Sequence, residues 1–406
     1  MSHKLNRRTV LKGLGAAGVT AGIAGCADDD GDADAMVGVL QPATGDLGDL
    51  GSPIQDGGAL PGLQLEDEDV PYEIDIRRED TETEPEVGIE RAQALVDAGY
   101  PSITGAASSG VTIAVAQDIY IPEEVVGISP ASTSPDITDM PGRYLLRTCP
   151  TDALQGVAAA TLAYEDRGLA TASTFYLNND YGQGLNDAFV ANFEEIGGEV
   201  YEQSAFEAEQ PSYDSELEVV LADDPDLLYV VGYPDSGEQI FRDFYENFDA
   251  DDTVVMVADG MQSNDLPGDV DNSMANVSGT APAAVGPGRE TFDDLFESEF
   301  GSAPGVFTSQ AYDATAVHIL AQFRADELSG PDVADEIREV ANPGGEVVTP
   351  STLADGLEMA ADGEEIQYHG ASSEIVFDEN GDLDAATFDI FEFDMDGYTV
   401  TEQFEL

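Results

Sequence analysis

From about residue 36 to 260, short apolar runs rich in β-branched residues alternate with longer stretches in which apolar positions recur every three or four residues. That alternation is the mark of parallel strands joined by crossover helices. Met36–Leu40 reads as a buried strand, and Tyr72, Ile74 and Ile76 alternate as a second. Pro85–Ala98 reads as a helix with Ile89, Ala92, Leu95 and Val96 inward. A strand at Ser102–Thr104, an apolar helix over 111–119 and a strand at Val125–Ser129 follow. After Arg147 the grammar restarts: helix 153–167, strand Ser173–Leu177, helix 184–196, strand Glu199–Phe206, helix 214–222, strand Leu227–Val231, helix 236–248 and strand Thr253–Ala258. The expectation is an α/β protein of two doubly wound lobes.

Beyond these, 291–341 is mostly helical in period, with Ala311, Thr315, Ile319 and Phe323 on one face. The C-terminal part is strand-like. Ile375 and Phe377 alternate, as do Phe388 and Ile390, before Phe391 and Phe393 shift the phase by one residue. A β-bulge accounts for such a shift.

The first 26 residues stand apart from this pattern. Arg7-Arg8 precede an apolar run, Leu14–Gly25, of about a dozen residues, where a membrane span needs roughly 20. The run ends at Ile23-Ala24-Gly25-Cys26, which reads as a lipobox after a twin-arginine export signal. Cys26 is then the site of lipidation, and Ala27–Ala35 an acidic tether to the membrane. Cleavage there removes four of the 14 basic residues and no acid, leaving ten arginines, no lysine and 83 Asp plus Glu, a formal charge of −73. Such a polyanion repels nucleic acid and anionic lipid surfaces. An apolar content of 42% argues for a packed core, so the charge reads as an adaptation to very salty water. Only Cys149 remains besides Cys26, which leaves no internal disulfide.

Catalytic signatures are sparse. With no lysine after residue 12, a phosphate loop with its lysine, a Schiff base and a serine–lysine pair are excluded. His3, His318 and His369 share no metal-ligand spacing, and His318 reads as a packing residue. Among 83 acids, close carboxylate pairs arise by chance and do not identify a hydrolase. The stretch Asp378–Asp384 has its glycine misplaced for a calcium loop and reads as a β-turn. No metal, no cofactor and no enzymatic activity are expected.

The informative places are the strand ends, because ligands of open α/β sheets sit at the carboxyl ends of strands. Four loops rich in Gly, Ser, Thr and Pro lie there: 41–45, 105–110, 129–133 and 232–234. Their amides and hydroxyls suit a carboxylate.

Together these loops carry a resemblance to a known family. Val37-Gly38-Val39-Leu40 with Thr44-Gly45, Gly105–Ser109, Ile128-Ser129-Pro130-Ala131 with Thr133 and Pro135, Leu146-Arg147-Thr148 with Gln155-Gly156, Asp180–Gly184 and Val231-Gly232-Tyr233 occur in one order. In that order the chain, from about 36 to 400, resembles the branched-chain amino-acid binding proteins of ATP-driven importers, with the type I periplasmic-binding fold. The resemblance implies lobes joined by three hinge crossings, near residues 150, 280 and 380. Lobe 1 would comprise 36–150 plus 281–380, and lobe 2 would comprise 151–280 plus 381–406. It further implies that Ser109 and Thr133 hold a ligand carboxylate, and that Thr133 and the Ala131 carbonyl meet its ammonium. Asp259 would pair with that ammonium, and Tyr181 and Tyr233 would close from the opposite lobe. Leu50 replaces an aromatic of some relatives, and Asp259 is one methylene shorter than their glutamate. Relatives of this fold also take amides, urea or aromatic acids. The expected protein is an exported, lipid-anchored capture module that hands an amino-acid-like ligand to a membrane permease. A receptor feeding a membrane signal transducer is the alternative, and a surface hydrolase the remote one.

Overall fold

The computed structural model describes residues 33–248 and 254–406. The leader, Cys26 and most of the tether lie outside these residues, so the expectations for them stay as read from sequence.

In the first half, β1 (Ala35–Gln41), α1 (Gly48–Asp67), β2 (Ile74–Asp80), α2 (Pro85–Asp97), β3 (Ser102–Gly105), α3 (Ser109–Val115), β4 (Val126–Ser129) and β5 (Leu145–Arg147) follow one another along the chain. They build one parallel sheet in the order β2-β1-β3-β4-β5. Then come α4 (Asp152–Thr161), β6 (Thr171–Leu177), α5 (Asp180–Glu195), β7 (Glu199–Phe206), α6 (Asp214–Val220), β8 (Leu227–Val231), α7 (Pro234–Asn247), β9 (Val254–Val257), α8 (Leu266–Val270) and β10 (Val277–Pro282). The second sheet runs β14-β13-β10-β9-β8-β6-β7. Its part from β6 to β10 is parallel and repeats the strand order of the first sheet. Between the two come α9 (Arg289–Phe300), α10 (Thr308–Arg324), α11 (Gly330–Ala341), β11 (Glu346–Val348), α12 (Leu353–Asp362) and β12 (Ile366–Tyr368), which return to the first lobe. The antiparallel β13 (Thr387–Asp394) and β14 (Gly397–Glu405) close the second. The chain therefore passes between the sheets three times, over 148–151, 283–288 and 383–386.

Several elements differ from the sequence reading. α1 was not foreseen, because Gly48–Asp67 holds five glycines besides Pro53 and Pro61, all poor in a helix interior. Gly57 explains the composition: a Cβ there would lie 2.3 Å from the Thr308 carbonyl oxygen, so only glycine lets α1 cross the start of α10. β5, β10, β11 and β12 are short strands without alternation and were also missed. Tyr72 precedes β2 instead of joining it. Ile375 and Phe377 form no strand; only the bridges His369–Glu374 and Phe377–Leu383 occur there. α10 has no single inward face, being buried on every side from Thr308 to Phe323. Some of its polar residues bond the first sheet: the Thr104 and Thr315 hydroxyls lie 2.7 Å apart, and Gln322 bonds Met36 and Ser102. His318 packs there, 3.1 Å from the Ile103 carbonyl, with burial pulling its pKa down to about 3. The bulge expected in the last hairpin lies between Ile390 and Phe391.

Candidate binding site

In a sheet of order 2-1-3-4-5, the loops leaving the first and third strands diverge to opposite faces and open a crevice at their carboxyl ends. Both sheets have this order, and the two crevices face each other. From the first lobe come 42–47 after β1, 106–108 after β3 and 130–134 after β4. From the second come Tyr181 after β6, Tyr233 after β8 and Asp259 after β9.

Hydroxyls stitch the first-lobe loops into one platform. Ser129 Oγ donates to the Ala106 carbonyl at 2.6 Å, and Ser132 Oγ to the Ala107 carbonyl at 2.9 Å. Thr112 and Ser132 hydroxyls lie 2.7 Å apart, and Ser109 Oγ accepts from the Ser134 amide at 3.3 Å. Below them Arg147, fully buried, donates to the Ser132 and Ser134 carbonyls at 3.1 and 2.8 Å and to Asp382 at 2.6 Å. Arg147, which in the sequence is only one residue of the Leu146-Arg147-Thr148 motif, thus sets the shape of the loop that carries Ala131.

On the other side Tyr181 and Tyr233 stack with ring centroids 5.4 Å apart and planes 4° from parallel. Tyr181 Oη donates to Asp259 Oδ1 at 3.1 Å, and Gln155 Nε2 donates to the same oxygen at 2.8 Å. Burial raises the Asp259 pKa, while these two bonds oppose the shift. Asp152, in the first turn of α4 and fully buried, is raised further by burial and then by the Asp259 charge. Its amide donates to the Thr133 carbonyl at 2.8 Å, and its buried carboxylate lies beside the Thr133 hydroxyl, whose bonding pulls the Asp152 pKa down against the larger effect of burial. Burial disfavours the ionised form of both carboxyls, and the Asp259 charge disfavours that of Asp152 further, so a cation beside them would be favoured.

Between platform and rings lies a cavity lined by Leu47, Leu50, Ile54, Ala107, Ser109, Ala131, Tyr181, Tyr233, Asp259, Gly260 and Phe307. Five of the six residues singled out in the sequence thus meet here. Thr133 does not reach the wall; it sits one layer behind, against Asp152. Leu47, Ile54 and Phe307 were not foreseen, since Leu47 and Ile54 belong to the region of the missed helix and Phe307 comes from far along the chain.

The lobes are shut. Tyr233 Oη contacts Ser108 Oγ at 3.3 Å across the cleft, and Leu47, Leu50 and Ile54 belong to the same apolar cluster as the second-lobe core. The enclosed space is about 20 Å3, on a scale where one water needs roughly 10–15 Å3. A solute as large as an amino acid enters only when the lobes part.

Residues 35–353 match the family model described as periplasmic binding protein. The chain belongs to that family. Among relatives of this periplasmic binding protein, a chemotactic signal transduction system substrate-binding protein, BasB of Halobacterium salinarum, is 25% identical over 73% of this chain and 71% of its own. A Leu/Ile/Val-binding protein homolog of Brucella abortus is 26% identical over 82% and 87%. The fold matches that of a leucine binding protein, LivK of Thermotoga maritima, with a TM-score of 0.76 at 24% identity over 91% of this chain and 98% of that one. Streptococcus pneumoniae LivJ, solved with isoleucine, gives 0.76 at 17% identity over 92% and 99%. The fold is the two-lobed type I periplasmic binding architecture. Among the described residues no helix is long and apolar enough to cross a membrane, and no group of His, Cys, Asp and Glu is arranged to hold a metal ion.

Proposed function

We propose that this periplasmic binding protein captures a small amino acid with an apolar side chain, of the leucine, isoleucine and valine kind, outside the cell. The carrying observation is the chemistry of the cavity wall: buried carboxyl groups on one side, a hydroxyl and main chain on the other, an aliphatic and aromatic lining, and no lysine or arginine. A zwitterion entering such a site gives up strong hydration at both ends and must recover it as charge-assisted hydrogen bonds. Asp259, with Asp152 behind it and Thr133 and the Ala131 carbonyl close by, takes the ammonium. Ser109, at the first position of α3, takes the carboxylate. Leu47, Leu50, Ile54 and Phe307 enclose the side chain, with the tyrosine pair over it. An aromatic acid such as benzoate, bound by a solved neighbour, would bring a carboxylate against these acids without a compensating cation.

Calorimetry in molar KCl tests this. Leucine, isoleucine or valine is expected to bind, with urea, simple amides and benzoate silent. Ser109→Ala should weaken binding by about 1–3 kcal/mol, and Asp259→Asn by about 2–5 kcal/mol through an ammonium left unpaired. The ammonium lowers an Asp259 pKa that burial had raised, so binding releases a proton and affinity falls as pH drops through the acidic range. Binding of benzoate in preference to leucine would end the amino-acid reading.

Names of relatives support two destinations for the captured solute: Leu/Ile/Val uptake through a membrane permease, and chemotactic signalling, as for BasB. We favour delivery to an ABC permease by a protein tethered through lipid at Cys26. Deleting the gene should then abolish uptake of labelled leucine, and Cys26→Ser should release the protein into the medium. Intact uptake with lost attraction towards leucine would instead favour the receptor.

A further inference from the structure

One contact across the closed cleft belongs to neither ligand nor hinge. Asp46, in the loop after β1, reaches into the opposite lobe, where its Oδ1 accepts from Ser236 Oγ at 2.8 Å and from the Ser236 amide at 3.2 Å. Ser236 is the third residue of α7. That helix begins Tyr233-Pro234, and the Tyr233 side chain supplies no cap of its own. Asp46 is thus an N-cap delivered in trans, one that can exist only while the lobes are shut. Its geometry is incomplete for a carboxylate. Asp46 is 7% exposed, and its second oxygen, Oδ2, is sealed without a hydrogen-bond partner. The charged groups bearing on it are Asp235 of α7 and Glu209 of the loop after β7, both acidic; the Tyr213 and Tyr233 phenols complete its surroundings.

We infer that Asp46 is a proton-assisted latch: closing the cleft takes up a proton on its carboxyl group, which then caps α7 and holds Tyr233 over the ligand. A neutral carboxyl keeps both Ser236 bonds, which fall on one oxygen, and spares the cost of drying an ion beside two others. Burial first, then Asp235 and Glu209, raise the closed-state pKa to about 6 from an ordinary 3.8, against the pull of the Ser236 bonds. A pKa raised in the closed state means that closure is favoured at low pH and loses that support as pH rises through 6. Between pH 7 and pH 5 the closed-to-open ratio should rise by about tenfold on this account.

The inference rests on reading the cleft as a trap that opens and shuts, and its test uses no ligand, so it stands or falls apart from the amino-acid assignment. Small-angle X-ray scattering of the ligand-free protein in molar KCl, from pH 8 to pH 5, gives the closed fraction. The wild type should compact as pH falls. Asp46→Asn, which imitates the neutral form, should be more closed at pH 7.5 and should lose about tenfold of the response. Ser236→Ala removes a bond that favours the ion and should move the midpoint upward. Burial also raises the pKa of Asp152 and Asp259 in the shut cleft, so the comparison between variants decides the matter. If Asp46→Asn follows the wild-type pH curve, or Ser236→Ala leaves the midpoint in place, the latch is rejected.

Discussion

Transfer from molar KCl into 10 mM buffer is expected to unfold this protein, with loss of the far-UV circular dichroism of its helices. Eighty-three acids face 14 basic residues in the whole chain, and the leader takes four of those. At about 1 M salt, charges farther apart than roughly 3 Å are screened, whereas at 0.01 M they act over about 30 Å. Part of that repulsion acts across the cleft. Asp49 of the first lobe faces Asp265 and Asp269 of the second, and Asp235 faces Asp49, Glu209, Glu238 and Asp269. Dilution should therefore part the lobes before it melts them. Pairs such as Arg78–Asp56 and Arg143–Asp335 are too exposed to resist, since surface pairs contribute at most about 1 kcal/mol. An unchanged dichroism spectrum and melting temperature in 10 mM buffer would refute the reading of the charge as an adaptation to salt.

Arg147→Leu should lower the unfolding free energy by about 3–5 kcal/mol, the usual effect of removing one partner from a buried ion pair. The guanidinium is completely enclosed and spends its donors on Asp382, on the Ser132 and Ser134 carbonyls and, at 2.8 Å, on the Thr138 hydroxyl. Without it the buried Ser132 carbonyl loses its partner, and Asp382 keeps the Thr138 hydroxyl but loses its counter-charge. The loop presenting Ala131 would relax with them, so ligand affinity should fall together with stability. Arg147→Lys retains the charge but not the planar fork, and should lie between the two. Urea titrations at fixed molar KCl measure the effect, and a loss below 1 kcal/mol would show that the loop holds its shape without the clamp.

Periodicity made most long elements legible, because a buried parallel strand and an amphipathic helix each leave a pattern within a dozen residues. The loops of the candidate site were legible for a related reason, since they follow strand ends, whereas Ser109, Ala131, Tyr181, Tyr233 and Asp259 were singled out by the family resemblance. Thr133 shows the limit of that logic. It belongs to the right loop but stands behind the cavity wall, beside Asp152, and nothing in the local sequence distinguishes the two placements.

What the amino-acid sequence by itself determined is therefore the grammar of two α/β lobes, the acid excess, the lack of lysine chemistry and the loops at which a solute can be held. Only the tertiary structure decided that a glycine-laden segment is the helix α1, that Phe307 meets Leu50, and that Asp46 caps a helix of the other lobe. The physical reason is range. Backbone periodicity and composition are local, whereas the close approach at Gly57 and the cap on Ser236 are set by partners about 250 and 190 residues away.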